Sequence, residues 1–275
     1  MVLTWLPSGA GVTADMLAST SNPRVKHAIR VRLGDEPDLL LAEGERLVEE
    51  LVSSGLPVLR VFHAEAPSAR TADILGGLQA AQVECLPASG AVMKAISDTV
   101  HPQGIIAIAQ RPAALTMEAL RASGPSLVVM LEAVQDPGNV GTIIRTAEAA
   151  GATALVSLPG TADVYSPKVL RSAMGSAFRL PILNHVTTEE LFSWAQQRGV
   201  TIAGAAGTGA VDYTDYDWRK PTLLILGNEA KGVSPALLDR CDARVRIPIR
   251  PPVESLNVAS AAAVLLFEAA RQRGY

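Results

Sequence analysis

Three separated stretches hold the residues able to do chemistry. They are Asn139-Val140-Gly141 running on to Arg145, Leu226-Gly227-Asn228-Glu229, and Glu254-Ser255-Leu256-Asn257-Val258. Each sets glycine, an amide or a charge where an apolar run stops. In the first, Asp136-Pro137-Gly138-Asn139 reads as a turn with Asn139 capping the helix that follows. Val140, Ile143, Ile144 and Ala147 then share one apolar face, and Arg145 projects away from it. A surface arginine in water would do the same. In the second, Gly227 ends an apolar strand, and its missing side chain lets a ligand such as an adenine press against the main chain. Lys231-Gly232 then turns into a helix with Pro235 in its first turn. In the third, Ile247-Pro248-Ile249 ends a strand, Ser255 is a candidate N-cap, and Asn257 lies off the stripe of Leu256, Ala263 and Phe267.

The elements that must position these residues alternate. A β-α-β rhythm runs from Leu39-Leu40-Leu41 through a helix at residues 46–53 and a strand at 58–62. It continues through helices at 72–81 and 92–96, a short strand around Val83 and a strand at 105–109. We therefore expect a smaller N-terminal α/β domain over residues 1–110, a Pro/Ala/Ser/Gly-rich linker over 111–125, and a second α/β domain over 126–275. The second has strand candidates at 127–131, 154–157, 182–184, 201–205, 222–226 and 245–249. Helices fit at 140–150, 167–177, 189–198, 235–240 and 256–273. Such alternation implies a mostly parallel sheet covered on both faces. Small residues from Ala259 to Ala263 permit close approach of another helix or a subunit. The aromatic and acidic run from Tyr213 to Trp218 reads as a surface loop against the sheet edge.

Composition bounds the partners. The chain has 275 residues, room for about two domains of typical size, with 48% hydrophobic and 19% charged residues. This is a globular composition. A net charge of −3 gives no global attraction to nucleic acid, so any such site must be local. One basic stretch exists, Arg24, Lys26, Arg30 and Arg32, which could equally be a solvated helix face. Cys85 and Cys241 fall in different predicted domains, and the four histidines are scattered, so neither a disulfide framework nor a metal site is expected. The apolar flicker at residues 1–6 lacks a basic flank, and no segment has the length of a membrane span, so the expected compartment is the cytoplasm. Gly204, Gly207 and Gly209 do not have the spacing of a dinucleotide-binding loop.

In that order and in one α/β domain, the three stretches resemble the motifs of the TrmH (SpoU) branch of the SPOUT RNA methyltransferases. Arg171, Gly175 and Phe178-Arg179-Leu180-Pro181 resemble the segment between the first two motifs. Ser21-Asn22-Pro23-Arg24-Val25-Lys26 and Leu41-Ala42-Glu43-Gly44 resemble the L30e-like substrate-binding domain often fused to that catalytic domain. The resemblance implies a deep trefoil knot in a parallel-sheet domain, homodimerisation through the C-terminal domain, and S-adenosyl-L-methionine held by main chain in the knotted loops. By matching position, Gly227, Ile247 and Leu256 make backbone contacts to that cofactor, and Leu226, Asn228 and Pro248 frame its pocket.

The implied reaction is methylation of a ribose 2'-hydroxyl in RNA, with no metal. The fused domain favours 23S-type ribosomal RNA, because loops present riboses individually. A transfer RNA methyltransferase and a non-catalytic assembly factor are the alternatives. Holding the reactants in line is the main task, an effect worth roughly 7 to 11 kcal/mol. Arg145 matches the family's catalytic arginine. A guanidinium is rarely neutral, so electrostatic stabilisation and clasping of a phosphate suit it better than general-base work. The resemblance further implies that Asn139 orients Arg145 or the ribose, that Glu229 holds Arg145 or a partner loop, and that Ser255 and Asn257 order the cofactor loop and target nucleotide. Arg24, Lys26, Arg30 and Arg32 make phosphate contacts.

Overall fold

Apolar runs split by capping residues build two sheets in succession. The computed structural model describes residues 15–120, 126–184 and 186–274, so the apolar flicker at 1–6, part of the expected linker and His185 lie outside the described residues. The first half comprises α1 (Pro23–Leu33), β1 (Leu39–Glu43), α2 (Glu45–Ser53), β2 (Val58–Ala64), α3 (Ala69–Ala80), β3 (Glu84–Ala88), α4 (Gly90–Ile96) and β4 (Ile105–Gln110). Its sheet has the order β1-β4-β2-β3, with β4 antiparallel to both neighbours and β2 parallel to β3. Asn22, Ser68 and Ser89 cap α1, α3 and α4 by accepting from early backbone N–H groups.

The second half comprises β5 (Leu127–Leu131), α5 (Pro137–Ala149), β6 (Ala154–Ser157), α6 (Pro167–Ala173), α7 (Ser176–Arg179), β7 (Ile182–Asn184), α8 (Thr188–Gln197), β8 (Thr201–Ala205), β9 (Val211–Asp212), β10 (Thr222–Leu226), α9 (Pro235–Leu238), β11 (Ala243–Arg246) and α10 (Val258–Gln272). All pairings in its sheet, β7-β6-β5-β10-β8-β11-β9, are parallel. Strand periodicity of two divides β5 between layers. Leu127, Val129 and Leu131 pack under α5 and α10, while Val128 and Met130 pack against α8. No described helix is long and apolar enough to cross a membrane.

Several expectations shift, each for a local reason. The helix expected over 167–177 breaks at Met174 and Gly175, both left-handed (φ 49° and 88°). There α2 comes close: a Cβ on Gly175 would lie 2.7 Å from Glu50 Cβ. The strand expected at 245–249 ends at Arg246, because its neighbour β8 ends at Ala205 opposite Val245 and Pro248 has no N–H for a ladder. Within the run from Tyr213 to Trp218, Tyr216 and Trp218 are core, while Thr214 and Asp215 stay exposed as expected of a surface loop. Trp218 is fully buried, donates from Nε1 to the Tyr213 carbonyl (2.8 Å), and meets Tyr216 edge-on. Residues 111–120 form neither helix nor strand, yet Leu120 is 2% exposed and its carbonyl accepts from Trp194 Nε1. The connector is thus docked on the second sheet.

One continuous core joins the halves, running from Leu40, Val48 and Ala107 to Leu127, Leu170 and Phe178. Polar bridges reinforce it: Arg111 to Asp163, Arg171 to Asp98 and Arg179 to Glu50.

Candidate active site

The loops after β8, β10 and β11 meet the start of α10 around a cavity of about 320 Å³. Its size falls at the lower end of small-molecule sites, roughly 300–1,000 Å³. Of the residues expected to hold a cofactor, Leu226, Gly227, Asn228, Ile247 and Leu256 line it. Pro248 does not; it sits between two lining residues, Ile247 and Ile249. Val245, Ala261 and Leu265 also line the wall and were missed, since an apolar strand or helix residue carries no mark in sequence of which cavity it faces.

Gly227 is dictated by the turn it enters. A Cβ there would lie 2.1 Å from both the Gly232 carbonyl carbon and the Val233 nitrogen. The chain folds back so tightly because Asn228 and Gly232 exchange backbone hydrogen bonds (3.1 and 2.8 Å). The Asn228 side chain completes the turn, accepting from the Ala230 and Lys231 amides and donating to the Ala133 carbonyl. The missing Gly227 side chain thus makes room for the chain's own Gly232–Val233 segment and not, as the sequence suggests, for a ligand, and the cradle so formed is one wall of the cavity.

Three of the expected polar residues converge beside this cradle. Asn139 donates from Nδ2 to Glu229 Oε1 (3.2 Å), and its Oδ1 accepts from Asn257 Nδ2 (2.9 Å). Glu229 also accepts from the Gln135 and Asp136 amides (3.2 and 2.9 Å). Partial burial pushes the Glu229 carboxyl upward, but these backbone donors and Asn139 outweigh it and hold it below the usual carboxylate range. Of the two roles expected of Glu229, a loop contact is what it makes, to residues 135–136, and not a contact to Arg145.

Two capping assignments move by a few residues. Asp136, not Asn139, caps α5: its Oδ1 accepts from the Asn139 amide, with Pro137 at the first helical position. Asp before Pro was the available signal. Asn257, not Ser255, caps α10, accepting from the Ala259 and Ser260 amides. Ser255 instead lines the cavity. Asn257 therefore both caps and bridges.

Arg145 lies elsewhere. It is exposed on α5 and lines a separate cleft of about 720 Å³ between the two halves, with Arg46, Glu148 and Arg179. The basic stretch on α1 is also apart, packed with α4 on the other face of the first sheet. Arg24 pairs with Glu84, Arg30 with Glu36, and Arg32 donates to the Ser97 carbonyl, leaving Lys26 exposed. Such exposed pairs are worth about 0–1 kcal/mol and exchange readily for phosphate.

Comparison with known proteins agrees with this architecture. Residues 126–267 match the SpoU rRNA Methylase family, and residues 22–107 match the MRM3-like substrate binding domain. The chain is 34% identical to a 23S rRNA (guanosine(2553)-2'-O)-methyltransferase of Bacillus subtilis, over 91% of this chain and 97% of that one. It is 32% identical to a 23S rRNA (uridine(2479)-2'-O)-methyltransferase of Streptomyces viridochromogenes, over 89% and 85% respectively. The crystal structure of an AdoMet-bound rRNA methyltransferase from Sinorhizobium meliloti superposes with a TM-score of 0.83 at 30% identity, over 94% of this chain and 98% of that one. The family match over residues 126–267 and relatives that align along almost the whole chain place this chain in the SpoU rRNA methylase family.

Proposed function

We propose that this chain methylates a ribose 2'-hydroxyl of ribosomal RNA, of the 23S type, using S-adenosylmethionine. The observation that carries the reading is the cradle at Gly227, locked by Asn139, Glu229 and Asn257 to the helix that bears Arg145. When bound, the cofactor supplies a methyl group activated on a sulfonium. Main chain at Gly227, Ile247 and Leu256 holds the adenine, Leu226 and Asn228 wall the pocket, Pro248 stiffens the loop between Ile247 and Ile249, and Ser255 faces the ligand. Asn139 and Glu229 fix the first turn of α5. Arg145, a guanidinium cation without a hydrogen bond or ion pair among the described residues, stabilises negative charge growing on the 2'-oxygen and clasps the adjoining phosphate.

The four basic residues of α1 add phosphate contacts that position without specifying sequence. A homodimer forms through α10, which leaves Phe267 51% exposed beside small residues. A trefoil knot through residues 226–257 is supported by the order β5-β10-β8-β11 and by the return of α10 onto α5. The cytoplasm is the compartment that such a substrate implies.

The test is methyl transfer from labelled S-adenosylmethionine to total RNA lacking the modification, fractionated by size, with Arg145→Ala as control. Alkali-resistant label at one position in large ribosomal RNA, lost in the variant while cofactor affinity is kept, is the expected result. Label only in transfer RNA would redirect the substrate. No label despite cofactor binding would leave an RNA-binding protein.

A further inference from the structure

The cleft that holds Arg145 continues into a second hollow of about 350 Å³, and the two share Arg46, Arg70 and Met174. Together they form a trough between α2 and α3 on one side and α5, α6 and α7 on the other. Its arginines divide into those held by a hydrogen-bonded carboxylate and those that are not, although Arg46 lies close enough to Glu49 to help Arg70, the larger cause, hold that carboxyl below its usual range. Arg70 is held by Glu49, and Arg179 by Glu50 and Glu148. Arg171 donates from Nη2 to Asp98 (2.8 Å), which leaves its Nη1 buried without a hydrogen-bond partner. Arg46 and Arg145 are exposed, and among the described residues neither makes a hydrogen bond or ion pair. The trough carboxylate Glu45 is satisfied by the Thr71 hydroxyl (2.7 Å) and by that of Ser68.

Arg171 Nη1 is closed to solvent, so the fork-shaped donors the trough offers to a ligand are those of Arg46 and Arg145. Paired carboxylates leave the trough no strong field of either sign. Discrimination there must come from fork-shaped donors, and a phosphate or ribose oxygen matches them. We propose that this trough seats the RNA strand next to the target ribose, with Arg46 gripping a backbone phosphate beside Arg145. The proposal rests on the RNA-methylating reading above and adds to it a surface that sequence pattern did not indicate. The basic helix α1 lies on the opposite face of the first sheet, whereas α2 and α3 reach Arg145's cleft with Arg46 and Arg70, and of these two Arg70 is held by Glu49.

The test compares wild type, Arg46→Ala and Arg46→Lys on an unmodified 23S rRNA transcript, by filter binding across a salt series and by methyl-transfer kinetics. Arg46→Ala is expected to raise the RNA Kd and KM about tenfold, the loss of one charge-assisted contact. It should also lower the slope of log Kd against log salt by about 1. Turnover and cofactor affinity hold, and Arg46→Lys recovers part of the affinity. A surface residue of α2 engaged only with neighbouring protein groups would not move the salt slope. Should Arg46→Ala lower the unfolding midpoint, Arg46→Gln repeats the comparison with the side-chain stem kept. Unchanged affinity and slope in a folded variant overturn the proposal, as does a wild type that binds no transcript. If wild type binds the transcript but transfers no methyl, the reaction is misassigned, and the binding comparison still decides Arg46.

Discussion

Asn257 Nδ2 donates to Asn139 Oδ1 at 2.9 Å, tying the first turn of α10 to the first turn of α5 across 118 residues of chain. The direction of this bond is set from behind. Glu229 is an ionised acceptor, so Asn139 must turn its amide nitrogen toward Glu229 and its oxygen toward Asn257. Asn257 has its own oxygen committed to the Ala259 and Ser260 amides, which leaves its nitrogen for Asn139. Capping and bridging therefore separate by substitution. Asn257→Ala should lose about 1 kcal/mol in urea unfolding, the usual cost of an N-cap. Asn257→Asp should keep that stability and still lose methyl transfer, since it sets an acceptor against an acceptor. Equal unfolding midpoints for the two variants would remove the capping argument.

Glu229 makes the site acid-sensitive. Its folded carboxyl titrates below the unfolded value, so its contribution is complete above the ordinary carboxylate pKa of about 4.3 and disappears as pH falls through the lower folded value. Cofactor affinity followed by calorimetry should be flat through neutrality and weaken on acidification. In Glu229→Gln this acid limb should be absent and affinity lower throughout. A wild-type profile unchanged down to the folded pKa would show that the carboxylate does not hold the cradle.

Gly227→Ala should abolish cofactor binding. Its Cβ would have to occupy space 2.1 Å from the Gly232 carbonyl carbon, and backbone cannot yield as a flexible side chain would. We expect at least a tenfold rise in the calorimetric Kd for S-adenosylmethionine, or about 1.4 kcal/mol, with the first half of the molecule still folded by circular dichroism. Tight binding by this variant would mean that the cradle opens more than its hydrogen bonds imply.

If the chain pairs through α10 as proposed, Phe267→Glu should leave each chain folded and shift a dimer toward monomer. The side chain is half exposed on α10, so a polar replacement can stay in water in the single chain, while an uncompensated carboxylate in an apolar interface is costly. Sedimentation equilibrium should move from dimer to monomer. An unmoved mass would place the interface elsewhere.

The strand ends that carry the site were legible because apolar runs such as Leu127–Leu131 and Thr222–Leu226 stop abruptly at polar or glycine residues. Cap identity was harder. Asn139, Ser255 and Asn257 have side chains able to cap, and which one does so depends on where the helix starts in three dimensions. The break at Met174 had a local signal in Gly175, whereas the close approach of Glu50, well over a hundred residues earlier, leaves none. The same holds for Arg46. Its sequence neighbours mark only an amphipathic helix, and its meeting with Arg145 is made by the packing of two halves.

The unbroken core from Leu40 to Phe178, with the connector pinned at Leu120, makes the two halves a caliper rather than a pair of tethered lobes. The span between the trough at Arg46 and the cradle at Gly227 is then a fixed length. On the proposed seating, a strand gripped at Arg46 fixes which ribose of that strand is held beside Arg145. If the trough grips RNA as proposed, the choice of target is set by where the folded strand is held, a constraint that this fixed geometry would impose on any substrate.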